Sequence, residues 1–181
     1  SLRRTPVLTT LIVITLAVGI GMTATPFSMV DALIFRPYPV PHPGAVATLV
    51  GTSRDNSYDF FSYREYLDIR NSAKSYEGVI ANAAASAVGF RAEPAATPLV
   101  KVGMMVSGNY FSVLGVEPKL GRGFRPDEDE VPGRDAVVVL GRDFWKREFA
   151  GDAAVVGRTI QLNGRDFTVV GVAPESFPGM Q

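Results

Sequence analysis

The sequence predicts an α+β protein in two parts: an N-terminal transmembrane helix, then a mixed α/β domain with β-α-β units and a β-hairpin. Three observations predict this. No charged residue occurs between Thr5 and Val30, a run longer than the ~20 residues that cross a bilayer core. Beyond it, short β-rich runs alternate with short helical patterns, as in mixed α/β folds. Near the end, RTIQLNGRDFTVVGV alternates apolar and polar residues around Asn163-Gly164, the preferred two-residue hairpin turn. The expected boundaries are 1–36 for the membrane helix with a short cytoplasmic start, 37–45 for a proline-rich exit, and 46–181 for the folded domain.

The chain has 181 residues, 46% hydrophobic, with zero formal net charge. Neutrality gives no support for nucleic-acid binding, which needs a basic face. The absence of cysteine removes disulfides, thiolate nucleophiles and cysteine-based zinc sites. The single histidine, His42, sits between two prolines. The chain opens on Ser1 and not on Met, and is expected to belong to a longer polypeptide.

If the first helix continues to Phe35, it is about 45 Å long at ~1.5 Å per residue and projects beyond the far headgroups. Arg3 and Arg4 precede it, which places the amino end in the cytoplasm by the positive-inside bias. A cleaved export signal is the alternative, with residues 8–20 as its apolar region; no A-x-A-like site follows, and the apolar run continues. Thr15, Gly19 and Thr23 recur every four residues, as do Ala17, Gly21 and Thr25. Such small-residue stripes let a second helix approach closely, although glycine is also simply common in membrane helices. Pro26 removes one helical hydrogen bond and clashes with the Met22 carbonyl, which predicts a kink. Asp31 is expected at the outer interface near Arg36, with an intramembrane ion relay as the alternative.

RPYPVPHP, residues 36–43, holds four prolines and reads as a stiff extended exit that is not helical. Residues 47–50 form a strand candidate. Ser62 and Glu65 spell a capping box, with Phe61 and Tyr66 placed as its hydrophobic staple. The helix that follows carries Tyr63, Tyr66 and Leu67 on one face and ends near 72–75; those aromatics suit core packing, or alternatively a ligand cage. Residues 78–90 have strand character at their ends, 93–98 a polar turn, and LVKVGMMV, 99–106, a strand. Ser107 is placed to cap a short helix through Tyr110, Phe111 and Leu114, stopped by Gly115, so that strand and helix open a β-α-β unit.

DEDE, 127–130, reads as a solvated acidic loop; as a calcium site it lacks the EF-hand glycine and distal acid. AVVVL, 136–140, is a buried strand, and 142–150 a helix stopped at Gly151, with Trp145 and Phe149 on one side as core anchors or, alternatively, a binding hot spot. No P-loop, dinucleotide fingerprint, G-x-S-x-G elbow or HExxH occurs. The expectation is therefore no catalytic, cofactor-binding or metal-binding residue. The candidate site residues are the helix-packing positions Thr15, Gly19, Thr23, Ala17, Gly21 and Thr25, and the kink at Pro26.

Four blocks in this order carry a family resemblance: TLAVGIGMTATPFSMVDALIFRPYPVPHP, SYREYLDIRNSAKSYEGV, VSGNYFSVLGVEPKLGRGF and VVVLGRDFWKREFAGDAAVVGRTIQLNGRDFTVVGVAP. Together they resemble the start of a MacB-like, FtsX-type permease subunit of an ABC transporter, most closely the duplicated orphan permeases of acidobacteria. Pro26 departs from the pattern, where an apolar helix former is expected. The resemblance implies the first membrane helix and the opening part of a periplasmic core domain with porter-like β-α-β units, in the bacterial inner membrane. It implies no cofactor and no enzymatic activity in this chain, the ATPase being a separate cytoplasmic subunit. The implied partners are that cytoplasmic ABC ATPase, a second permease half as homodimer or tandem copy, a periplasmic adaptor or substrate protein, and membrane lipid, but no nucleic acid. Three functions fit: an export or efflux permease subunit, an FtsX-like subunit that transmits signals without transport, and a single-pass anchored interaction domain.

Overall fold

The computed structural model describes residues 10, 12–17, 20, 40–52, 58–131 and 133–177. The chain divides into two units, Ser1–Tyr38 and Pro39–Gln181. In the first, Thr10, residues 12–17 and Ile20 are helical and exposed. Among the described residues, no helix is long and apolar enough to cross a membrane.

The second unit opens with a 3-10 turn, Pro43–Ala45, so the end of the proline run is helical after all. Proline is tolerated at the first position of a turn, where its missing N–H has no partner to lose. The strand expected at 47–50 is irregular; pairing begins one residue later, where β1 (Gly51–Thr52) meets β2 (Tyr58–Asp59) in an antiparallel ribbon. Helix α1 (Tyr63–Ser72) starts at the expected capping box: Ser62 Oγ accepts the Glu65 N–H, and Glu65 accepts the Ser62 N–H at 2.7 Å. Of its aromatic face only Tyr66 is buried; Tyr63 stays exposed against it, with ring centroids 5.6 Å apart.

Strands β3 (Ser86–Arg91) and β4 (Leu99–Gly103) form a hairpin. The expected strand at the start of 78–90 is reduced to one bridge, Asn82 with Val106. Helix α2 (Tyr110–Leu114) ends on Gly115 at φ 65°, the left-handed conformation that glycine adopts without steric cost. Ser107 does not cap it. Asn109 holds the cap position, and Ser107 is buried, its hydroxyl accepting the Ala81 N–H at 3.0 Å and donating to Asn109 Oδ1 at 2.8 Å.

Then follow β5 (Leu120–Gly121), β6 (Val137–Leu140), α3 (Arg142–Phe149), β7 (Thr159–Leu162) and β8 (Arg165–Val172). The sheet order is β4-β3-β7-β8-β5, with β6 also paired to β8. Strand β5 lies on the β7 side of β8, with β6 on the other side; it runs parallel to β4 without pairing to it, so the strand-then-helix order β4-α2-β5 crosses between parallel strands that are not neighbours. The parallel pair is β6 with β8, reached through α3 and β7. The hairpin is as expected: Asn163 and Gly164 take φ 50° and 77°, the type I′ turn whose twist matches the strands.

Strand β8 is the centre. Its first half pairs β7 and its second half β5. The β6 register slips from Val138↔Val169 to Val139↔Gly171, leaving Val170 as an extra residue. Such a bulge reverses the side-chain alternation beyond it. Val169 and Val172 consequently share one core with Phe90, Leu140, Trp145, Phe149, Val155 and Ile160. Ala173 joins a second core with Tyr110, Phe111, Leu114, Val116 and Phe177. Trp145 is thus a core anchor, and its indole N–H donates to the Asp152 carbonyl at 2.8 Å. Helix α3 ends one residue early, because Ala150 takes the left-handed position at φ 51° before Gly151 at 74°.

At the bulge the backbones of β5 and β8 nearly touch. A Cβ on Gly171 would lie 2.2 Å from the Arg122 carbonyl oxygen, and one on Gly121 2.2 Å from that of Val170. Gly171→Ala is expected to destabilise by about 1–3 kcal/mol, the usual cost of overpacking, measured as a lowered urea midpoint. Gly44→Ala, at a site with open space, should shift it by less than ~0.5 kcal/mol, as for surface changes generally.

Candidate functional site

Of the candidate helix-packing residues, Thr15 and Ala17 are helical and exposed. Gly19, Gly21, Thr23, Thr25 and Pro26 lie outside the described residues. The described part of the exit carries the clearest structural signal for function. Val40 and Val46 pack, half-buried, against the second core. Between them, the Pro43–Ala45 turn is closed by the Ala45 N–H donating to the His42 carbonyl at 3.0 Å. Pro41 lies against the α2 stop, its Cγ 3.7 Å from where a Gly115 Cβ would stand. A cleft of about 450 Å³ opens there, lined by Val40 and Pro41, by residues 115–117, and by Pro174 and Ser176 after β8. The exit is therefore held against the aromatic core by Val40, and the first residue of the domain after it, Val46, packs on the same core. The sequence led to the expectation of a stiff exit but not to what it packs on, because Phe111, Ala173 and Phe177 are remote in the chain.

A polar network fastens α1 to the same core. Tyr66 Oη and Asn109 Oδ1 are 3.1 Å apart, and the Arg70 guanidinium donates to Tyr66 Oη at 3.4 Å. Asn109 Nδ2 donates to the Val79 carbonyl at 2.9 Å. With Ser107 these groups join α1, the segment at 79–81 and the start of α2.

The acidic loop closes over this corner and is not simply solvated. Glu128 receives both ends of the Arg122 guanidinium, at 3.0 and 2.5 Å, and the Arg125 N–H at 2.9 Å. Asp129 accepts the Gly108 N–H at 2.9 Å through its carboxylate, and the Tyr63 hydroxyl at 2.9 Å through its carbonyl. The Arg122 hydrogen bonds hold the Glu128 carboxyl below its ordinary value, against the opposing effect of burial. Burial and the neighbouring Asp129 charge push the Tyr63 phenol up to about 12. Among the described residues no group of three His, Cys, Asp or Glu side chains could hold a metal ion. The geometry clamps elements together: Glu128 is paired with Arg122, and Asp129 is bonded to the Gly108 N–H.

A family model described as the MacB-like periplasmic core domain matches residues 9–181. No curated protein matches the chain. Among solved structures, it is similar to the periplasmic region of MacB from Actinobacillus actinomycetemcomitans, at 21% identity and a TM-score of 0.56, covering 76% of this chain and 66% of that one. It is also similar to the extracellular domain of the noncanonic ABC-type transporter YknZ from Gram-positive bacteria, at 16% identity and a TM-score of 0.52, covering 65% of this chain and 59% of that one. The chain thus spans less than two thirds of each relative's length. At these identities the likeness shows a common fold.

The Glu128 clamp sets a pH dependence. A carboxyl whose folded pKa is depressed stabilises the fold above its unfolded value, and that contribution is lost as pH falls through the folded one. The melting temperature should therefore drop as pH is lowered below the ordinary glutamate range. Glu128→Gln should melt lower at neutral pH and show a shallower acid slope, measured by circular dichroism from pH 7 to pH 3.

Proposed function

The chain belongs to the MacB-like periplasmic core domain family, and from that premise we propose that it is part of a permease subunit of an ABC-type transporter. In this proposal the subunit couples ATP hydrolysis on a separate cytoplasmic ATPase to motion of an extracytoplasmic domain, for export or efflux. Residues 1–36 are the membrane helix with its amino end in the cytoplasm, 37–45 the exit, and 46–181 the opening part of the core domain. The stripes Thr15-Gly19-Thr23 and Ala17-Gly21-Thr25 pack it against a neighbouring helix, and Pro26 sets a kink.

The observation that carries the proposal is the seating of Val40 and Val46 in the second core. A membrane segment moves a domain only if the connection between them does not absorb the displacement. A proline-rich exit packed through Val40, and followed directly by Val46 on the same core, supports such a connection. The alternative is an FtsX-like subunit that transmits the same motion to partner proteins and transports nothing. The junction serves both, since each needs a stiff link.

Inserting four Gly/Ser residues between Pro43 and Gly44 of the full-length protein should cut ATP-dependent export at least tenfold while the ATPase subunit keeps its hydrolysis rate. Export unchanged by the insertion would remove the stiff-link mechanism. Export of peptides, drugs and lipids unchanged by deletion of the whole gene would leave the signalling alternative.

A further inference from the structure

Asn163-Gly164 is the single Asn-Gly pair in the sequence, and Asn163 does more than form the turn. Strand β3 pairs with β7 through Arg91↔Gln161 and Phe90↔Leu162. The next rung joins Gly89 to Asn163. Half of it is regular: the Asn163 N–H donates to the Gly89 carbonyl at 2.8 Å. The other half is made by the side chain, whose Oδ1 accepts the Gly89 N–H at 2.8 Å where a strand residue would use its main-chain carbonyl. Asn163 has already left the extended conformation, at φ 50°, and asparagine is among the residues that tolerate that region.

Asparagine followed by glycine is also open to attack by its own backbone. The next main-chain nitrogen can close a five-membered ring on Cγ, and glycine puts no side chain in the way. The Gly164 nitrogen gives up its proton and bonds to Asn163 Cγ. The Cγ–Nδ2 bond breaks, and ammonia leaves with that proton. Water then opens the cyclic imide. Opening at Cγ gives aspartate; opening at the main-chain carbonyl gives isoaspartate, with the chain running through Cβ and Cγ. No oxidant or reductant takes part.

We propose that Asn163 is a site of spontaneous deamidation guarded by its bonds to Gly89. Ring closure needs the carboxamide carbon turned onto the Gly164 nitrogen. The two Gly89 bonds fix Asn163 at its amide and at its carboxamide, so the rung opens before the ring closes. The two products differ in effect. Aspartate keeps an oxygen on Cγ for the Gly89 N–H. Isoaspartate lengthens the main chain of a two-residue turn, displaces the Leu162↔Arg165 pair that closes it, and turns Cγ into backbone. The first product leaves the hairpin tip latched to β3, and the second unlatches it. The proposal is independent of whether the subunit exports.

The test incubates the full-length protein in its membrane beside a synthetic peptide of residues 159–169, at mildly alkaline pH. Peptide mass spectrometry follows the mass gain from amide to acid at Asn163 and separates the two products. The peptide should convert at least about tenfold faster than the protein, which must first open the rung. An equal or faster rate in the protein would overturn the guarding role, and a peptide that stays unconverted would overturn the site. In protein aged until isoaspartate accumulates, the Gly89 amide should exchange with deuterium at least about tenfold faster than in fresh protein. In Asn163→Asp it should exchange at the fresh rate. Unchanged exchange in the isoaspartyl protein, or equally raised exchange in Asn163→Asp, would overturn the distinction between the products. Neither readout depends on the export assay.

Discussion

The single extra residue in β8 is the constraint on which the two cores depend. Without the slip at Val170, Val169 and Ala173 would share a face, and Val172 would point away from Trp145 and Ile160. With it, one strand supplies valines to the first core and then alanine to the second. It also exchanges β7 for β5 as its neighbour at the same point. The contact of Gly121 with Gly171 follows, since two strands meet there more closely than a side chain allows. The second core then collects α2, Phe177 and the chain exit around Ala173.

What was legible in the sequence was local. The capping box, the Gly115 stop, the Asn163-Gly164 turn and the pairing of Trp145 with Phe149 on one helix face all depend on residues within a few positions of each other. The misreadings share the opposite cause. Ser107 looks like a cap by position, but its hydroxyl is drawn to Ala81, 26 residues away. The acidic loop looks solvated until Gly108, 21 residues from Asp129, is brought under it. Strand followed by helix suggests a β-α-β unit, and β4 and β5 do run parallel, but which strands lie between them is decided by partners the local pattern does not contain. For the candidate site, prolines announced a stiff exit; the aromatic surface receiving it comes from three separate stretches.

The described contacts divide into two kinds of restraint. Aromatic packing in the second core, with Tyr110, Phe111 and Phe177 in edge contacts between 5.4 and 6.1 Å, holds the exit by burial and is insensitive to charge. The bonds between Glu128 and Arg122 hold the acidic loop through ionised groups and respond to proton concentration. The exit is thus held by the first kind of restraint and the acidic loop by the second.

Asn163 has a consequence for the order of assembly. Its N–H donates to the Gly89 carbonyl and its side-chain oxygen accepts the Gly89 N–H, both at 2.8 Å, across 74 residues of sequence. Closing so long a loop has an entropic cost that short-range hairpins avoid. In a polypeptide emerging amino end first, β3 and β4 are made well before the tip that receives them. Their paired ribbon therefore waits with Phe90 uncovered until translation has passed the distal turn, and that interval is when the nascent chain is most exposed to wrong partners.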